Sequence, residues 1–218
     1  MTSYSIIGGT GDLGAALARR LASIGREIWI GSRDPAKAET FASGLSAEFP
    51  DARIGGLGVG DAAARADVCF VTVPYAAQAD TLQQIREGVQ GKILVDATVP
   101  LKPPAVGKVQ LPAAGSAVVE GAAILGEGVR VVSALQNVGA EKLAAGGDID
   151  ADVLVAGDDA AAVEEIRTLL TDIGLRSWHV GPLANSAAAE ALTSVLIQLN
   201  RRYKMGQAGI RITGKPQV

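Results

Sequence analysis

Short apolar runs alternate with amphipathic stretches along most of this 218-residue chain. The apolar runs predict strands at residues 3–7, 27–30, 68–73, 93–96, 129–134, 152–156 and 177–180. After the first run, Leu13, Leu17 and Leu21 recur at helical spacing, and similar spacing separates most of the other runs. Strands that alternate with helices in this way are typical of a parallel sheet joined by crossover helices. The pattern therefore predicts an α/β fold with a mainly parallel sheet.

The pattern changes after Gly181 and Pro182. Apolar positions between residues 184 and 205 recur at the spacing of one long helix, which is longer than a crossover in the preceding part of the chain requires. We therefore expect residues 1–180 to form the α/β domain and residues 181–218 to form a small C-terminal helical cap. An apolar face exposed on this helix would be a liability in a monomer, so we also expect a homodimer.

Composition and charge narrow the classes of protein that this chain can represent. Its 20 basic and 23 acidic residues give a net charge of −3, and 48% of its residues are hydrophobic, as in a globular protein. No basic cluster lies over an aromatic platform, so nucleic acid is not an expected partner. No apolar run approaches the ~20 residues that span a bilayer, and the N-terminus lacks a signal-peptide pattern, so we expect a cytoplasmic protein without a membrane partner. Because Cys69 and His179 are the only cysteine and histidine, neither an internal disulfide nor a Cys/His zinc site is expected.

The turn after the first predicted strand has the pattern G-x-G-x-x-G, at the point where that strand stops and a helix begins. In this context Gly9 permits a tight turn, Gly11 lets a pyrophosphate approach the main chain, and Gly14 lets the helix pack against the strand. The free N–H groups and the positive end of the helix dipole would then stabilise the phosphates. The motif predicts a Rossmann-type, doubly wound fold that binds a dinucleotide through Gly9, Thr10, Gly11, Asp12, Leu13 and Gly14.

The end of the second predicted strand indicates which dinucleotide binds. An NAD site carries an acidic residue there, which accepts hydrogen bonds from the ribose hydroxyls, whereas this strand runs into Ser32 and Arg33, with Lys37 one helical turn further on. Cationic and hydroxyl side chains suit a 2′-phosphate, and Thr10 lies close enough in the turn to assist. The neighbouring Asp34 is best explained as a helix cap. The sequence therefore predicts that NADP is favoured over NAD.

The glycine motif from Gly8 to Gly14, followed by residues 30–33 and Lys37, resembles the NADPH-dependent reductases of coenzyme F420, a deazaflavin. Four further segments, at residues 131–135, 155–159, 181–186 and 205–210, follow in the order and approximate spacing of that family, so the resemblance covers nearly the whole chain. Many relatives carry a histidine just after the segment 131–135, where this chain has Gln136 and Asn137. This departure concerns the second substrate rather than the binding of NADP.

The resemblance implies an enzyme, an F420H2:NADP oxidoreductase, that moves a hydride between NADP(H) and F420. Such a transfer needs positioning more than an acid or a base, so we assign no catalytic side chain. Cys69 lies in an apolar strand and His179 lies far from the ligand-binding strand ends, while Asp96 and Glu120 stay open as proton donors or structural carboxylates. Beyond the carboxyl ends of the strands, the residues expected around the nicotinamide are Val73, Pro74, Val99, Pro100, Leu135, Gln136 and Asn137.

The long C-terminal helix would supply the opposite wall, according to the resemblance, and its end carries Arg201, Arg202 and Lys204. This basic run is either a solvated face that complements the helix dipole or an attraction for the acidic oligoglutamate tail of a deazaflavin. Two other functions remain open. Gln136 and Asn137 are compatible with an NADPH-dependent reductase of a small carbonyl or imine, and a non-catalytic NADPH-binding redox sensor would use the long helix to engage a partner protein.

Overall fold

The computed structural model describes residues 2–145 and 147–214 of the chain. Its strands are β1 (Ser3–Ile7), β2 (Glu27–Ser32), β3 (Arg53–Gly58), β4 (Val68–Val71), β5 (Ile93–Asp96), β6 (Arg130–Ser133), β7 (Asp152–Gly157) and β8 (Arg176–His179). Its helices are α1 (Asp12–Ser23), α2 (Pro35–Glu48), α3 (Val59–Arg65), α4 (Tyr75–Ile85), α5 (Ala117–Leu125), α6 (Ala140–Ala144), α7 (Ala160–Asp172) and α8 (Ser186–Tyr203). Two short 3₁₀ turns occupy Glu87–Val89 and Leu183–Asn185.

All eight strands belong to one sheet, in the order β3-β2-β1-β4-β5-β6-β7-β8. The first six strands of the chain are parallel, β7 is antiparallel to β6, and β8 is parallel to β7. The strand order reverses between β1 and β4, which is where doubly wound sheets open a crevice for ligands at the carboxyl ends of their strands. The predicted α/β fold with a mainly parallel sheet is confirmed.

Adjacent residues of β1 and of β4 enter different apolar clusters. Ile6 and Phe70 belong to a cluster with α1, α2 and α7, whereas Ile7 and Val71 belong to a second cluster with α3, α4 and α5. Because side chains alternate across a strand, the two clusters lie on opposite faces of the sheet, and both faces are covered. Within residues 2–145 and 147–214, no helix combines the length and the apolar composition that a membrane crossing demands.

The edge strand β3 and the helices α3 and α6 were not predicted from the apolar pattern. β3 contains Gly55 and Gly56, which weaken any strand signal. The strand forms because each glycine accommodates a neighbour: the Trp29 ring lies where a Cβ of Gly55 would stand, and the backbone of α2 at Ala38 and Glu39 lies where a Cβ of Gly56 would stand. The strand is therefore specified by packing from β2 and α2.

The long C-terminal helix begins at Ser186 and ends at Tyr203, within the predicted span of 184–205. A buried carboxylate joins it to the rest of the chain: Glu190 accepts the backbone N–H of Ala117 at 2.8 Å and that of Val118 at 3.2 Å. Its Oε1 also accepts the Ser116 hydroxyl at 2.6 Å. Glu190 thus caps α5 from another helix. The predicted division into residues 1–180 and 181–218 stays a prediction.

Candidate functional site

The glycine turn between β1 and α1 is built from three different steric requirements. Gly8 has a φ of +84°, which favours glycine, so the left-handed residue of the turn is Gly8 rather than Gly9. A Cβ on Gly9 would lie 2.8 Å from the carbonyl oxygen of Ile6. A Cβ on Gly14 would lie 2.6 Å from the Gly8 carbonyl oxygen. Gly9 and Gly14 therefore permit close packing of the turn, and Gly14 lets α1 approach β1, as expected.

The N-terminus of α1 differs from those of α2, α5 and α7. Those three helices are capped by the side chains of Asp34, Ser116 and Asp159, whereas the cap residue of α1 is Gly11, which has no side chain to accept a hydrogen bond. The helices α3, α4, α6 and α8 also have no side-chain cap, so α1 is distinguished from them by a glycine cap residue that lines the cavity in front of this terminus. The first N–H groups of a helix have no acceptor within the helix, so those of Asp12 and the two residues after it face outward without a side-chain cap. A Cβ on Gly11 would meet only the Gly8 carbonyl oxygen, at 3.3 Å. This terminus can therefore receive an external anion at close range.

A cavity of about 330 Å³ lies in front of this helix terminus. Its walls come from the glycine turn, from the end of β2 and from the end of β4. The structure thereby brings together seven of the residues that the sequence predicted for cofactor binding, namely Thr10, Gly11, Ser32, Arg33, Lys37, Val73 and Pro74. Gly9, Asp12, Leu13 and Gly14 belong to the same turn and helix start but do not line the cavity.

Two cationic side chains at the β2 end of the cavity, Arg33 and Lys37, are available to a ligand. Arg33 and Lys37 are exposed, and neither forms an ion pair with any residue in 2–145 or 147–214. The nearby carboxylate of Asp34 is engaged as the cap of α2, where Oδ1 accepts the N–H groups of Ala36 at 3.1 Å and Lys37 at 3.2 Å. Ser32 Oγ accepts the backbone N–H of Asp34 at 3.2 Å. This end of the cavity suits a phosphate bearing two negative charges.

The predicted residues beyond β5 and β6 lie outside this cavity. Gln136 is buried, and its Nε2 donates to the Asp96 carbonyl oxygen at 2.8 Å and to Ser133 Oγ at 2.9 Å. Asn137 Nδ2 donates to the Asp152 carbonyl oxygen at 2.6 Å, and its Oδ1 accepts a backbone N–H of the same strand, β7. Both polar groups of Asn137 are thus satisfied internally, so its side chain links the turn after β6 to β7. These contacts use both polar groups of Asn137, whereas the buried Oε1 of Gln136 has no hydrogen-bond partner among residues 2–145 and 147–214.

Three other residues predicted around the nicotinamide, Val99, Pro100 and Leu135, follow the ends of β5 and β6. Val99 is half-buried and Pro100 is buried, three and four residues after the end of β5. Leu135 is fully buried and has a φ of +76°, which is an uncommon backbone conformation for a residue with a branched side chain. Such strain costs of order 1 kcal/mol and often occurs at functional sites. The turn after β6 is therefore held in one conformation by the packing around Leu135.

The two carboxylates left open as proton donors, Glu120 and Asp96, have partners that the sequence could not show. The Tyr75 hydroxyl donates to Glu120 Oε2 at 2.8 Å, 45 residues away, and burial together with this hydrogen bond raises the pKa of Tyr75 to about 12. Asp96 accepts the Thr98 N–H at 2.8 Å and Gln78 Nε2 at 2.6 Å. Burial raises the pKa of Asp96, although these hydrogen bonds oppose the shift. Asp96 is therefore a satisfied internal carboxyl, and Tyr75 stays protonated at neutral pH.

Neither of the two residues dismissed as catalysts lies in the cavity. Burial raises the pKa of the Cys69 thiol to about 12, which leaves it unreactive at neutral pH. His179 is exposed at the end of β8. Because β8 runs opposite to the first six strands, its carboxyl end lies at the other edge of the sheet from the cavity.

One residue that organises the site has a weak sequence signal. Glu190 is buried on α8, between α8 and the N-terminus of α5. One turn further along α8, Thr193 Oγ1 donates to the Gln136 carbonyl oxygen at 2.7 Å. The C-terminal helix is therefore attached to the ligand-binding edge of the sheet at two places. A charged residue among apolar positions of the long helix is the only sequence feature that could have indicated this attachment.

Comparisons with known proteins agree with this geometry. Residues 3–100 match a family described as "NADP oxidoreductase coenzyme F420-dependent". The chain is 42% identical to the F420-dependent NADP reductase of Methanothermobacter thermautotrophicus, over 98% of this chain and 95% of that protein. It is 39% identical to the F420-dependent NADP reductase of Methanothermobacter marburgensis, over 98% of this chain and 99% of that protein. A solved structure from Arthrobacter sp. FB24, provisionally described as an F420-dependent NADP reductase, has 26% identity and a TM-score of 0.81, and covers 98% of this chain and all of that one.

The resemblance noted in the glycine motif and in the later segments is confirmed by relatives that match over nearly their whole length. The chain belongs to the family of F420-dependent NADP reductases.

Proposed function

We propose that this protein is an oxidoreductase that transfers a hydride between NADP(H) and coenzyme F420. The observation that carries the proposal is the uncapped N-terminus of α1, which opens onto a cavity lined by Arg33 and Lys37, in a chain of this family. When both substrates are bound, the chemistry is the transfer of a hydride between C4 of the nicotinamide and C5 of the deazaflavin, with one proton exchanged with solvent.

The residues of the cavity fit NADP(H) from its adenosine end. The N–H groups from Asp12 to Gly14 would hold the pyrophosphate, with Gly11 allowing close approach. Arg33 and Lys37 would bind the 2′-phosphate, with Ser32 and Thr10 in support. Asp34 also lines the cavity at the end of β2, but its Oδ1 is engaged as the cap of α2.

The same edge of the sheet would position the two reacting rings. Val73 and Pro74 border the cavity at the end of β4, next to the half-buried Tyr75. Val99 and Pro100 would complete the nicotinamide pocket, together with Leu135, Gln136 and Asn137, whose roles are to fix the turn after β6. The chain's contribution is to orient the rings and to exclude water, since direct hydride transfer requires no nucleophile.

The direct test mixes the purified protein with NADPH and oxidised F420 and follows the visible absorbance of the deazaflavin. We expect rapid, stoichiometric loss of that absorbance and oxidation of NADPH. The same preparation offered small carbonyls or imines should oxidise NADPH far more slowly. Absence of any deazaflavin reduction across a wide pH range, by protein that still binds NADPH, would contradict the proposal.

The NADP preference is tested with Arg33→Ser and Lys37→Ser together. Each charge-assisted hydrogen bond contributes roughly 1.5–3 kcal/mol, so the KM for NADPH should rise at least about 10-fold while the KM for NADH changes little. Arg130→Ser is the matched control, because Arg130 is exposed at the start of β6, at the other edge of the sheet. An unchanged ratio of NADPH to NADH efficiency in the double variant would refute the 2′-phosphate assignment.

Three further features belong to this proposal. Residues 1–180 form the NADP-binding domain, and residues 181–218 form the cap that covers the second substrate and joins two protomers into a homodimer. The large apolar side chains exposed on or just after α8, Val195, Tyr203 and Met205, support the dimer. Sedimentation equilibrium at micromolar concentration should give twice the mass of the chain, and a monomer would contradict the dimer.

The protein is expected to act in the cytoplasm, with the NADP(H) pool.

A further inference from the structure

Thr72 is the first residue after β4, and its side chain reaches the glycine turn between β1 and α1. Thr72 Oγ1 donates a hydrogen bond to the carbonyl oxygen of Ile7 at 3.0 Å. The Thr72 backbone N–H donates to the same oxygen at 2.9 Å, so one carbonyl accepts two hydrogen bonds from one residue. Ile7 is the last residue of β1 and directly precedes the turn. Thr72 therefore holds the point from which the turn begins.

The hydroxyl of Thr72 also lies against both ends of the glycine motif. A Cβ on Gly8 would stand 3.1 Å from Thr72 Oγ1, and a Cβ on Gly14 would stand 2.7 Å from it. Gly8 opens the turn with a φ of +84°, whereas Gly14 lies in the first turn of α1. One oxygen atom is thus packed against the strand, the turn and the helix. A group larger than this oxygen would press on the turn, because protein interiors are closely packed.

The strand β2 holds the other flank of the turn. The N–H groups of Gly8 and Gly9 donate to the Gly31 carbonyl oxygen at 3.0 and 3.4 Å, and the Gly11 N–H donates to the Gly8 carbonyl oxygen at 2.9 Å. These hydrogen bonds join backbone groups. The attachment of the turn to β4 also uses a side-chain hydroxyl, that of Thr72, so it is the attachment that a substitution can remove.

We propose that Thr72 is a positioning residue for the dinucleotide, an inference that rests on the proposed function. Thr72 lines the cavity in front of α1, at the end of the strand that pairs with β1. Its hydroxyl holds the turn in the conformation that presents the first N–H groups of α1 to a pyrophosphate. Hydrogen bonds weaken steeply when their length or angle departs from the optimum, so a displaced turn would bind the pyrophosphate more weakly.

Three substitutions separate the hydroxyl from the shape of the side chain. Thr72→Ser keeps the hydroxyl and removes the methyl group, Thr72→Val keeps the branched shape and replaces the hydroxyl with a larger apolar group, and Thr72→Ala removes the hydroxyl without adding bulk. The serine variant should resemble the wild type, and the other two should not. Thr168→Val is the control, because the hydroxyl of this exposed residue donates to the Glu164 carbonyl oxygen at 3.0 Å, within α7.

Binding is measured by titration of the full-length protein with NADPH and with adenosine 2′-monophosphate, which lacks the pyrophosphate. We expect Thr72→Val and Thr72→Ala to raise the Kd for NADPH about 10-fold and to leave the Kd for the monophosphate within about twofold. Thr72→Ser and Thr168→Val should leave both Kd values within about threefold. An equal loss of affinity for both ligands, or equal NADPH affinity of the valine, alanine and serine variants, overturns the inference.

Hydrogen exchange in the ligand-free protein tests the inference independently of the proposed function. Because the Gly11 N–H is bonded to the Gly8 carbonyl oxygen, its exchange rate reports on the closure of the turn. Thr72→Val and Thr72→Ala should accelerate exchange at Gly9 and Gly11 about 10-fold, with little change in the strands of the sheet. That pattern, together with weaker NADPH binding, supports the inference even if F420 is not reduced. Uniform acceleration throughout the sheet, or none at the turn, overturns it.

Discussion

At the scale of single residues, Gly14 and Gly44 have opposite surroundings although both lie in helices. A Cβ on Gly14 would stand 2.7 Å from both Gly9 Cα and Thr72 Oγ1, whereas a Cβ on Gly44 would meet no atom within 4 Å. Gly14→Ala forces the glycine turn apart, and overpacking of this kind typically costs about 1–3 kcal/mol. Gly44→Ala improves helix propensity and should stabilise the protein by roughly 0.5–1 kcal/mol.

Thermal unfolding and NADPH titration of both variants check this expectation. Gly14→Ala should lower the melting temperature and weaken NADPH binding at least 10-fold, because the N–H groups that we propose bind the pyrophosphate would move with the turn. Gly44→Ala should raise the melting temperature by a few degrees and leave binding unchanged. Equal behaviour of the two variants would show that the contacts around Gly14 do not constrain the turn.

Residue chemistry was the most predictable part of the site. Arg33 and Lys37 follow the second strand in the sequence, and the structure places both beside the cavity, because a helix start after a parallel strand has few alternative conformations. The roles of Gln136 and Asn137 were not predictable in this way. Their partners lie on β5 and β7, and a pairing between strands leaves no periodic signal in the chain. Glu190 was missed for the same reason.

At the scale of elements, the apolar pattern identified seven of the strands that the structure describes and missed β3. Strong local signals such as the run at 68–73 do not depend on neighbours, whereas β3 is stabilised by Trp29 and by the approach of α2. The pattern also could not give the reversed direction of β7 and β8. That direction depends on how the chain returns after α6, and not on the composition of the strands themselves.

The junction between α5 and α8 depends on one carboxylate. Burial raises the pKa of Glu190, and the Ser116 hydroxyl and two backbone N–H groups oppose that shift by stabilising the charge. Glu190→Ala removes the acceptor for all three donors and leaves them buried, which should cost about 2–3 kcal/mol. We expect hydrogen exchange to accelerate at Ala117 and Val118.

A merely global loss of stability would accelerate exchange throughout the sheet as well. Glu164→Ala provides the control, because Glu164 is an exposed helical glutamate whose ion pair with Arg167 spans one turn of α7. That variant should lose less than 1 kcal/mol and show no local change at α5. If Glu190→Ala and Glu164→Ala had the same exchange pattern, α8 would not depend on this cap.

At the scale of the whole molecule, Asp152 fastens the C-terminal segment to the sheet. Its carboxylate is fully buried and accepts two hydrogen bonds from Arg176, at 2.6 and 2.7 Å, one from Trp178 Nε1 at 2.9 Å and one from the Ile212 N–H at 2.7 Å. Burial alone would raise the pKa of Asp152, but these hydrogen bonds outweigh it and lower the pKa to about 2. The chain thereby returns from α8 to the start of β7.

This lowered pKa links overall stability to pH. A carboxyl group whose folded pKa lies below its unfolded value near 4 stabilises the fold above pH 4, and the contribution is lost as the pH falls through about 2. Because Arg176 is half exposed, we expect a contribution of only about 1–2 kcal/mol. Asp152→Asn should therefore lower the free energy of unfolding at pH 6 and flatten its decline below pH 4.

Urea unfolding between pH 2.5 and 6 measures both effects. Asp80→Asn, at an exposed position on α4, serves as the control and should follow the wild-type curve. A variant at Asp152 whose curve ran parallel to that of the wild type would mean that another carboxylate governs the acid transition.

The uncapped N-terminus of α1 has a consequence for the stability of the protein in the cell. In the proposed complex, a dinucleotide pyrophosphate would supply acceptors for its outward N–H groups, so the nucleotide would stabilise the fold as well as take part in the reaction. A ligand held at 100 times its Kd adds roughly 2.7 kcal/mol to stability. Starvation that depletes the phosphorylated nucleotide would thus expose more chains to proteases, and the amount of reductase would follow the supply of its own coenzyme.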